Sequence, residues 1–356
     1  MAAQVPAHEA KSGSQPSARA VSSTAPVGNQ GQPIVPSPTV TALTPDRRHD
    51  SPDPKTPTVF SFFERATSTW QYVVADMSTS HAVIIDPVLD YDPASGAVST
   101  RTADGLLGFI KEQGLTVTHI LETHAHADHL TSSQYLKSRL GDVPVCIGER
   151  ITQVQKTFAP VYGFDDSALF QNTFDVYLKD NTEFALGNIT CHVLHLPGHT
   201  PDHVGYVFGS VIFTGDSIFN PDVGSARADF PGGNAKDLYA VSAHLASPLE
   251  SALTTPQSMQ RLLSYPYDAL LFVGHDYPPA NARTPEPSAT VGAHRDAWSK
   301  KDERTFVEWR EQRDATLGAP RLLHPSLQVN IRAGKLPPKD EKGRAWFRTP
   351  VRGVQW

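Results

Sequence analysis

The chain has 356 residues and a formal net charge of −6 at pH 7. This length accommodates one large domain or two small ones, and the acidic balance argues against a nucleic-acid or anionic-membrane surface. We find no apolar stretch long enough to span a bilayer and no signal-peptide core. The two cysteines, Cys146 and Cys191, are flanked by apolar residues. We interpret them as buried thiols of a reducing compartment, which predicts a cytoplasmic protein.

Residues 1–57 lack Phe, Tyr and Trp and are crowded with Ser, Pro, Ala and Thr. A segment with so little apolar bulk cannot offset the entropy of its own ordering, so we predict a disordered tail. The alternative is a mitochondrial targeting segment, because Glu9 is the only acidic residue before Asp46. The segment lacks the Arg-rich amphipathic character of such signals, and the tail is therefore the preferred interpretation.

The folded domain is predicted to span residues 58–335, with 336–356 as a C-terminal tail. After a strand that begins at Thr58, two strand patterns over 70–75 and 81–85 predict an opening hairpin. The apolar spacing then predicts a helix over 103–113, a strand over 118–123 and a helix over 130–140.

The second half of the domain alternates in the same way. We predict strands through 183–215, a final strand at 269–273, and helices over 235–246, 256–264 and 303–317. The proline-rich residues 278–290 form a loop, which is either a simple connector or faces the substrate. This mixture of strands and helices predicts an α/β sandwich, in which helices cover the outer faces of two packed sheets.

The most informative stretch is Thr-His-Ala-His-Ala-Asp-His at 123–129, which places three imidazoles and one carboxylate directly after a predicted strand. Imidazole and carboxylate are preferred ligands of divalent transition metals. Three further candidates each follow a buried-strand pattern and a glycine, namely His199, Asp216 and His275. Glycine permits tight turns and close backbone approach there. Strand ends that converge on one sheet edge would bring together His124, His126, Asp128, His129, His199, Asp216 and His275.

Together these segments resemble the metallo-β-lactamase superfamily over roughly residues 58–335, with all seven usual metal-ligand positions carrying the usual residue types. The resemblance implies an αββα sandwich. It also implies one of two metal centres. Two Zn(II) ions would be held by His124, His126 and His199 on one side and Asp128, His129 and His275 on the other, with Asp216 bridging. One Fe(II) would be held by His124, His199 and Asp216 alone.

The two centres imply different reactions. A zinc-bound water attacks a lactam, lactone or thioester carbonyl, as in xenobiotic detoxification or in a glyoxalase II-like hydrolase. A face of two histidines and one carboxylate suits Fe(II) that activates O₂. A resemblance to the persulfide dioxygenase branch of the superfamily, carried by the segments described next, implies that such an iron centre would oxidise glutathione persulfide to sulfite and glutathione.

Three segments resemble the persulfide dioxygenase branch. His275-Asp276-Tyr277 is similar to it, whereas glyoxalase II enzymes usually carry Glu at the position of Asp276. Residues 224–233 resemble its Arg-x-Asp-Phe segment, and 327–334 resemble its C-terminal signature, although Ala228 and Ala333 depart from residues common in relatives. A bacterial β-lactamase-like hydrolase linked to sulfide metabolism is the neighbouring subgroup.

Three further residues are candidates for roles at the site. Arg227 either binds a substrate carboxylate or forms an ion pair with Asp229, because guanidinium is a two-pronged donor. Tyr277 either hydrogen-bonds near the metal or packs under the proline-rich loop. Asp86 either hydrogen-bonds the metal-binding loop or caps a strand end. We therefore name Asp128, Arg227 and Tyr277 as catalytic candidates.

The remaining predictions concern partners and the other histidines. We expect a small-molecule substrate, possibly a glutathione conjugate, no nucleic-acid or membrane partner, and a possible homodimer. A non-catalytic scaffold on the same fold is disfavoured by the intact ligand set. Four histidines have no ligand-like context and are interpreted as structural: His119, His195, His203 and His244.

Overall fold

The fold is built on two large β-sheets, seen in a computed structural model that describes residues 41–164, 167–170, 173–239, 258–279, 282–298, 301–351 and 353. Within these residues the first sheet comprises, in spatial order, β1 (Arg47–His49), β2 (Thr58–Glu64), β3 (Thr69–Asp76), β4 (His81–Ile85), β7 (Thr116–Leu121), β9 (Val145–Gly148) and β10 (Val176–Leu178). The second comprises β11 (Glu183–Leu186), β12 (Ile189–His195), β13 (Val204–Phe208), β14 (Val211–Gly215), β15 (Leu270–Val273) and β16 (Ser288–Thr290).

A small third sheet joins β6 (Ala97–Ser99), β5 (Val88–Asp92) and β8 (Leu130–Thr131). The described helices are α1 (Arg101–Glu112), α2 (Ser133–Leu140), α3 (Ile151–Phe158), α4 (Ala235–Tyr239), α5 (Ser258–Leu263), α6 (Val291–Trp298), α7 (Glu303–Asp314) and α8 (Leu323–Asn330), with short 3₁₀ turns at Pro160–Tyr162 and Ser167–Phe170. Within the described part of the chain, none of these helices combines the length and apolar character that crossing a bilayer requires.

The alternation of side chains along β3 shows how the layers are assembled. Tyr72 and Val74 point into the core between the two sheets, while Val73 and Ala75 point to the opposite face. Successive residues of a strand face opposite sides of the sheet, so a strand that is buried at every position must be covered on both faces. The whole of β3 is buried, which places it in an inner layer.

Helices cover the outer face of each sheet. Leu106 and Phe109 of α1 pack in the cluster that contains Val73, whereas Leu238 of α4 and Phe306 of α7 pack against the outer face of the second sheet. The architecture is therefore an αββα sandwich, which confirms the arrangement that the family resemblance implied.

The disordered tail predicted over residues 1–57 is wrong for its last part, because residues 47–49 form a strand. Residues 1–40 lie outside the described residues, but β1 pairs antiparallel with β2 and belongs to the first sheet. The Leu43 amide donates to the Gly105 carbonyl of α1 at 2.9 Å. Gly105 allows this approach, because a Cβ there would lie 2.6 Å from Leu43 Cγ. The apolar contacts of residues 42 and 43, rather than aromatic bulk, attach this segment.

Several predicted elements end elsewhere than expected. The strand predicted over 118–123 ends at Leu121, and the helix predicted from 130 begins at Ser133, because Leu130 and Thr131 pair with β5. The strand predicted at 269–273 as the final one corresponds to β15, and it is followed by β16. Residues 240–246 of the predicted helix after 235 lie outside the described residues. The C-terminal segment contacts the domain, since Arg348 Nη1 donates to the Tyr162 carbonyl at 2.8 Å.

Candidate metal centre

The carboxyl ends of four strands meet at one edge of the sandwich. Four of the seven candidate ligands follow β7 of the first sheet. The other three, His199, Asp216 and His275, follow β12, β14 and β15 of the second. Glycine is required at two of these positions by close approach. A Cβ on Gly274 would lie 2.4 Å from Asp216 Oδ1, and one on Gly215 would lie 2.6 Å from Thr123 Oγ1.

The structure brings together the histidine pair and carboxylate predicted for a mononuclear centre. His124, His199 and Asp216 each offer one ligand atom, and these atoms all lie within 4.8 Å of one another. His199 Nε2 lies 3.7 Å from Asp216 Oδ2. All three residues are buried, so the polar atoms face one another rather than solvent.

A second group of ligand atoms lies beside the first. His126, Asp128 and His129 also place one ligand atom each within 4.8 Å of the others. His275 joins the two groups, because its Nε2 lies 3.1 Å from Asp128 Oδ2 and 3.6 Å from Asp216 Oδ1. All seven predicted ligands therefore lie in one cluster.

The outer nitrogens of the ligand rings are held by the protein backbone. His199 Nδ1 donates to the Arg227 carbonyl at 2.7 Å, and His275 Nδ1 donates to the Ser68 carbonyl at 3.1 Å. Hydrogen bonds of this kind fix the tautomer and leave the other nitrogen as a lone-pair donor.

Several buried polar atoms of the cluster make no hydrogen bond with any described residue, namely His124 Nε2, His126 Nδ1, His129 Nε2 and Asp216 Oδ1. Buried polar groups are normally paired, and imidazole and carboxylate are metal ligands. The donor set therefore fits a divalent metal.

The electrostatics of the cluster keep donor atoms available. Burial, and then the neighbouring His126 and His203 rings, lower the pKa of His124 well below its ordinary value. A neutral imidazole is the form that binds a metal. Burial opposes ionisation of Asp128, but the facing His275 and His129 rings outweigh it and lower the pKa of that carboxyl.

Two carboxylates lie behind His126, and only one of them was found from the sequence. Asp86 Oδ1 lies 3.0 Å from His126 Nε2 and accepts from the Thr123 amide at 2.7 Å, which favours the first of its two interpretations, a hydrogen bond to the metal-binding loop. Glu122 Oε2 lies 3.5 Å from the same nitrogen. The only sequence signal for Glu122 is a charged residue directly after the buried strand β7.

Burial alone would lower the pKa of His126, but Asp86 and then Glu122 raise it well above the usual value. Of the two carboxylates, Asp86 lies nearer to Nε2, with 3.0 Å between Oδ1 and that nitrogen. The other ring nitrogen, Nδ1, is buried and makes no hydrogen bond with any described residue, so it is the candidate ligand atom of His126.

His203 also adjoins the cluster, although its sequence context gave no sign of this. Its ring stacks on that of His124 with centroids 4.8 Å apart, and its Nε2 accepts from the Asp216 amide at 2.9 Å. Its role is positional, which agrees with the structural interpretation. His119 lies beside Phe184, His195 contacts Arg150, and His244 lies outside the described residues.

The structure favours the ion-pair interpretation of Arg227. Its Nη2 donates to Asp229 Oδ2 at 2.7 Å, its Nε contacts the other oxygen at 2.5 Å, and its Nη1 donates to the Gly318 carbonyl. The part of Arg227 that reaches the cluster is its backbone carbonyl, which holds His199.

Tyr277 lies at the accessible side of the cluster. Its ring stacks on His275 with centroids 5.6 Å apart and is half-exposed. Among the seven candidate ligands, Asp128 has the most accessible side chain, with 26% exposed. Arg283 fastens the neighbouring proline-rich loop, because it donates to both Asp276 and Asp222.

Residues 65–275 match the family model of the metallo-beta-lactamase superfamily. The chain belongs to this superfamily. Its αββα fold and its cluster of histidines and aspartates follow the family pattern, and residues of this cluster could hold a metal ion.

Relatives within the superfamily carry names for different reactions. The chain is 41% identical over 304 residues to a beta-lactamase hydrolase-like protein of Xylella fastidiosa, an alignment that covers 85% of this chain and 66% of that protein. The chain therefore spans slightly less than two-thirds of that relative's length. It is 29% identical over 231 residues to the mitochondrial persulfide dioxygenase ETHE1 of Homo sapiens, covering 64% of this chain and 72% of that one. The crystal structure of ETHE1 from Myxococcus xanthus matches with a TM-score of 0.58 and 26% identity, over 78% of this chain and 99% of that one.

Proposed function

We propose that this chain is an iron(II) dioxygenase that oxidises glutathione persulfide to sulfite and glutathione. The observation that carries the proposal is the compact buried group of His124, His199 and Asp216. Two imidazoles and one carboxylate on one face, with open positions opposite, suit Fe(II) that activates O₂. When bound, Fe(II) supplies the position at which O₂ is activated.

Two of the three named relatives support the same reaction. The human protein that aligns with this chain is a persulfide dioxygenase, and the crystal structure from Myxococcus xanthus is of the same protein type. The reaction consumes glutathione persulfide, O₂ and water and yields glutathione, sulfite and two protons. The outer sulfur is oxidised and O₂ is reduced, so no further reductant is needed.

The chain's own residues hold and shield the reacting groups. His124, His199 and Asp216 would hold the metal, while the Arg227 carbonyl and His203 fix two of these ligands. The substrate approaches from the side of Asp128 and Tyr277, the accessible side of the cluster. Asp128 also keeps His275 in place, since their side chains lie 3.1 Å apart.

The second candidate function is a zinc-dependent hydrolase of a lactam, lactone or thioester. It is favoured by the second group, in which His126, Asp128 and His129 offer ligand atoms within 4.8 Å. Two zinc ions with a bridging carboxylate would activate a water for attack on a carbonyl.

The test compares the two reactions on the same protein. Protein purified without oxygen is assayed for O₂ uptake and sulfite with glutathione persulfide, and for hydrolysis of a β-lactam and of a glutathione thioester. We expect O₂ uptake and sulfite in matched amounts. Hydrolysis without O₂ uptake would transfer the assignment to the zinc hydrolase.

Two variants test whether the cluster is the active site. His124→Ala and Asp216→Asn should each abolish turnover while the chain remains folded, because both residues are ligands in either mechanism. His119→Ala is the matched control, since His119 is partly exposed and packs on Phe184. Substantial activity in either ligand variant would contradict the metalloenzyme site.

A further inference from the structure

The loop that carries four of the seven candidate ligands forms hydrogen bonds with side chains that are distant in the sequence. Residues 122–129 follow β7 without regular secondary structure. Buried backbone groups need partners, and here two of them are aspartates. The Thr123 amide donates to Asp86 at 2.7 Å, and the Ala125 amide donates to Asp202 at 2.8 Å.

The other end of the loop is held by Asn330, the last residue of α8. Asn330 Nδ2 donates to the His126 carbonyl at 2.8 Å and to the His129 carbonyl at 2.7 Å. Its Oδ1 accepts from the Thr131 amide at 2.9 Å. A side-chain amide has two donor hydrogens, and both are directed at residues that carry candidate ligands.

The backbone around Asn330 is itself fixed against the loop. Gly334 has φ +93°, and a Cβ there would lie 3.2 Å from the Thr131 carbonyl oxygen. Gln155 Nε2 donates to the Ile331 carbonyl at 2.9 Å. Asn330 is 3% exposed, so its amide is shielded from exchange with water.

We propose that Asn330 is a positioning residue of the metal centre. It fixes the distance between the backbones of His126 and His129, which flank Asp128, and so sets where their rings stand. The inference rests on the proposed function only in that the loop holds a metal. It applies to a zinc centre through two of its ligands, His126 and His129, and to an iron centre through His124, which the same loop carries.

The chain contains a matched control on the same helix. Gln328 is also a buried amide of α8 and also makes three hydrogen bonds. Its Nε2 donates to the carbonyls of His324 and Arg348 at 2.7 and 2.9 Å, and its Oε1 accepts from the Arg348 amide at 2.9 Å. These partners lie outside the metal-binding loop, so Gln328→Ala loses as many hydrogen bonds without releasing the loop.

The experiment measures metal affinity in the full-length chain. Asn330→Asp replaces the Nδ2 donor by an oxygen that faces two carbonyl oxygens, while the side-chain shape is kept. Wild type, Asn330→Asp and Gln328→Ala are loaded with Fe(II) or Zn(II) and titrated with a chelator. We expect Asn330→Asp to lose affinity about 10–100-fold, as is typical when a group that orients a ligand is removed, and Gln328→Ala to change it only about twofold. If Asn330→Asp does not fold, Asn330→Ser is measured by the same criterion.

Hydrogen exchange of the metal-free proteins supplies a readout that does not depend on the metal. The backbone amides of residues 126–131 should exchange faster in the Asn330 variant than in Gln328→Ala, because only there do the His126 and His129 carbonyls lose their hydrogen-bond donor. Equal metal affinity and equal exchange in the two variants would overturn the positioning role. A wild-type chain that binds neither metal would overturn the proposed function, whereas normal metal binding by Asn330→Asp would remove the positioning role alone.

Discussion

Gly274→Ala perturbs the candidate metal centre without altering any candidate ligand. The added methyl would lie 2.4 Å from Asp216 Oδ1, while ordinary contacts begin near 3.4 Å. The carboxylate must therefore move by about 1 Å, whereas metal–ligand distances tolerate deviations of only about 0.2 Å. A displacement of about 1 Å can cost on the order of 100-fold in rate. We expect a loss of turnover of that order together with weaker metal binding.

The assay for Gly274→Ala is metal content after desalting, combined with turnover and with the melting temperature of the metal-free protein. Gly318→Ala is the control, because a Cβ at Gly318 meets nothing within 4 Å. Overpacking is expected to destabilise the metal-free Gly274→Ala protein by about 1–3 kcal/mol. If Gly274→Ala matches Gly318→Ala in metal content and turnover, the contact with Asp216 does not constrain the centre.

Three further predictions concern stability and the substrate. Deletion of residues 1–55 should destabilise the domain by about 2 kcal/mol relative to deletion of 1–40, because it removes β1 and its apolar contacts; urea unfolding measures the difference. His294 is buried and its pKa is lowered by burial to about 4, so acid should destabilise the fold as the unfolded chain binds a proton that the folded chain excludes. The free energy of unfolding should fall by about 2 kcal/mol from pH 7.5 to pH 5 because of this histidine. His294→Leu should abolish this contribution to the pH dependence. Arg227→Met should leave metal affinity unchanged, because the backbone carbonyl that holds His199 remains. It should lower the free energy of unfolding by about 1 kcal/mol, because the ion pair with Asp229 is lost.

Each of these predictions has a contrary outcome. Equal unfolding free energies for the two deletions would show that β1 does not contribute to stability. An unchanged pH dependence in His294→Leu would mean that His294 binds a proton as readily in the folded chain as in the unfolded chain. A rise in KM above tenfold in Arg227→Met, without loss of stability, would restore its interpretation as the binder of a substrate carboxylate.

The candidate ligands could be found from the sequence because each follows a buried strand, and glycine precedes three of them. Strand ends at one edge of a sandwich converge, so local patterns were sufficient to place all seven together. The α/β sandwich was predictable as well, since strands such as β15 are apolar throughout and must be covered on both faces, whereas the αββα arrangement was implied only by the family resemblance.

The supporting residues could not be found in this way, because their roles depend on long-range contacts. Asn330 holds a loop two hundred residues earlier in the chain, and nothing in its local sequence marks that partner. Glu122 was passed over because a single carboxylate after a strand is common. The attachment of residues 42–49 could not be predicted, because Ala42 and Leu43 pack on two glycines of α1 and no aromatic side chain marks the contact.

The most direct test of the iron assignment is the metal content of the wild type and of His129→Ala, both purified without oxygen. We predict about one iron per chain in both proteins, because His124, His199 and Asp216 remain. Turnover of His129→Ala should fall by about 10–100-fold, since a residue that supports the centre has been removed. Two zinc ions per wild-type chain, falling to one in His129→Ala, would contradict the iron assignment and identify a dinuclear hydrolase.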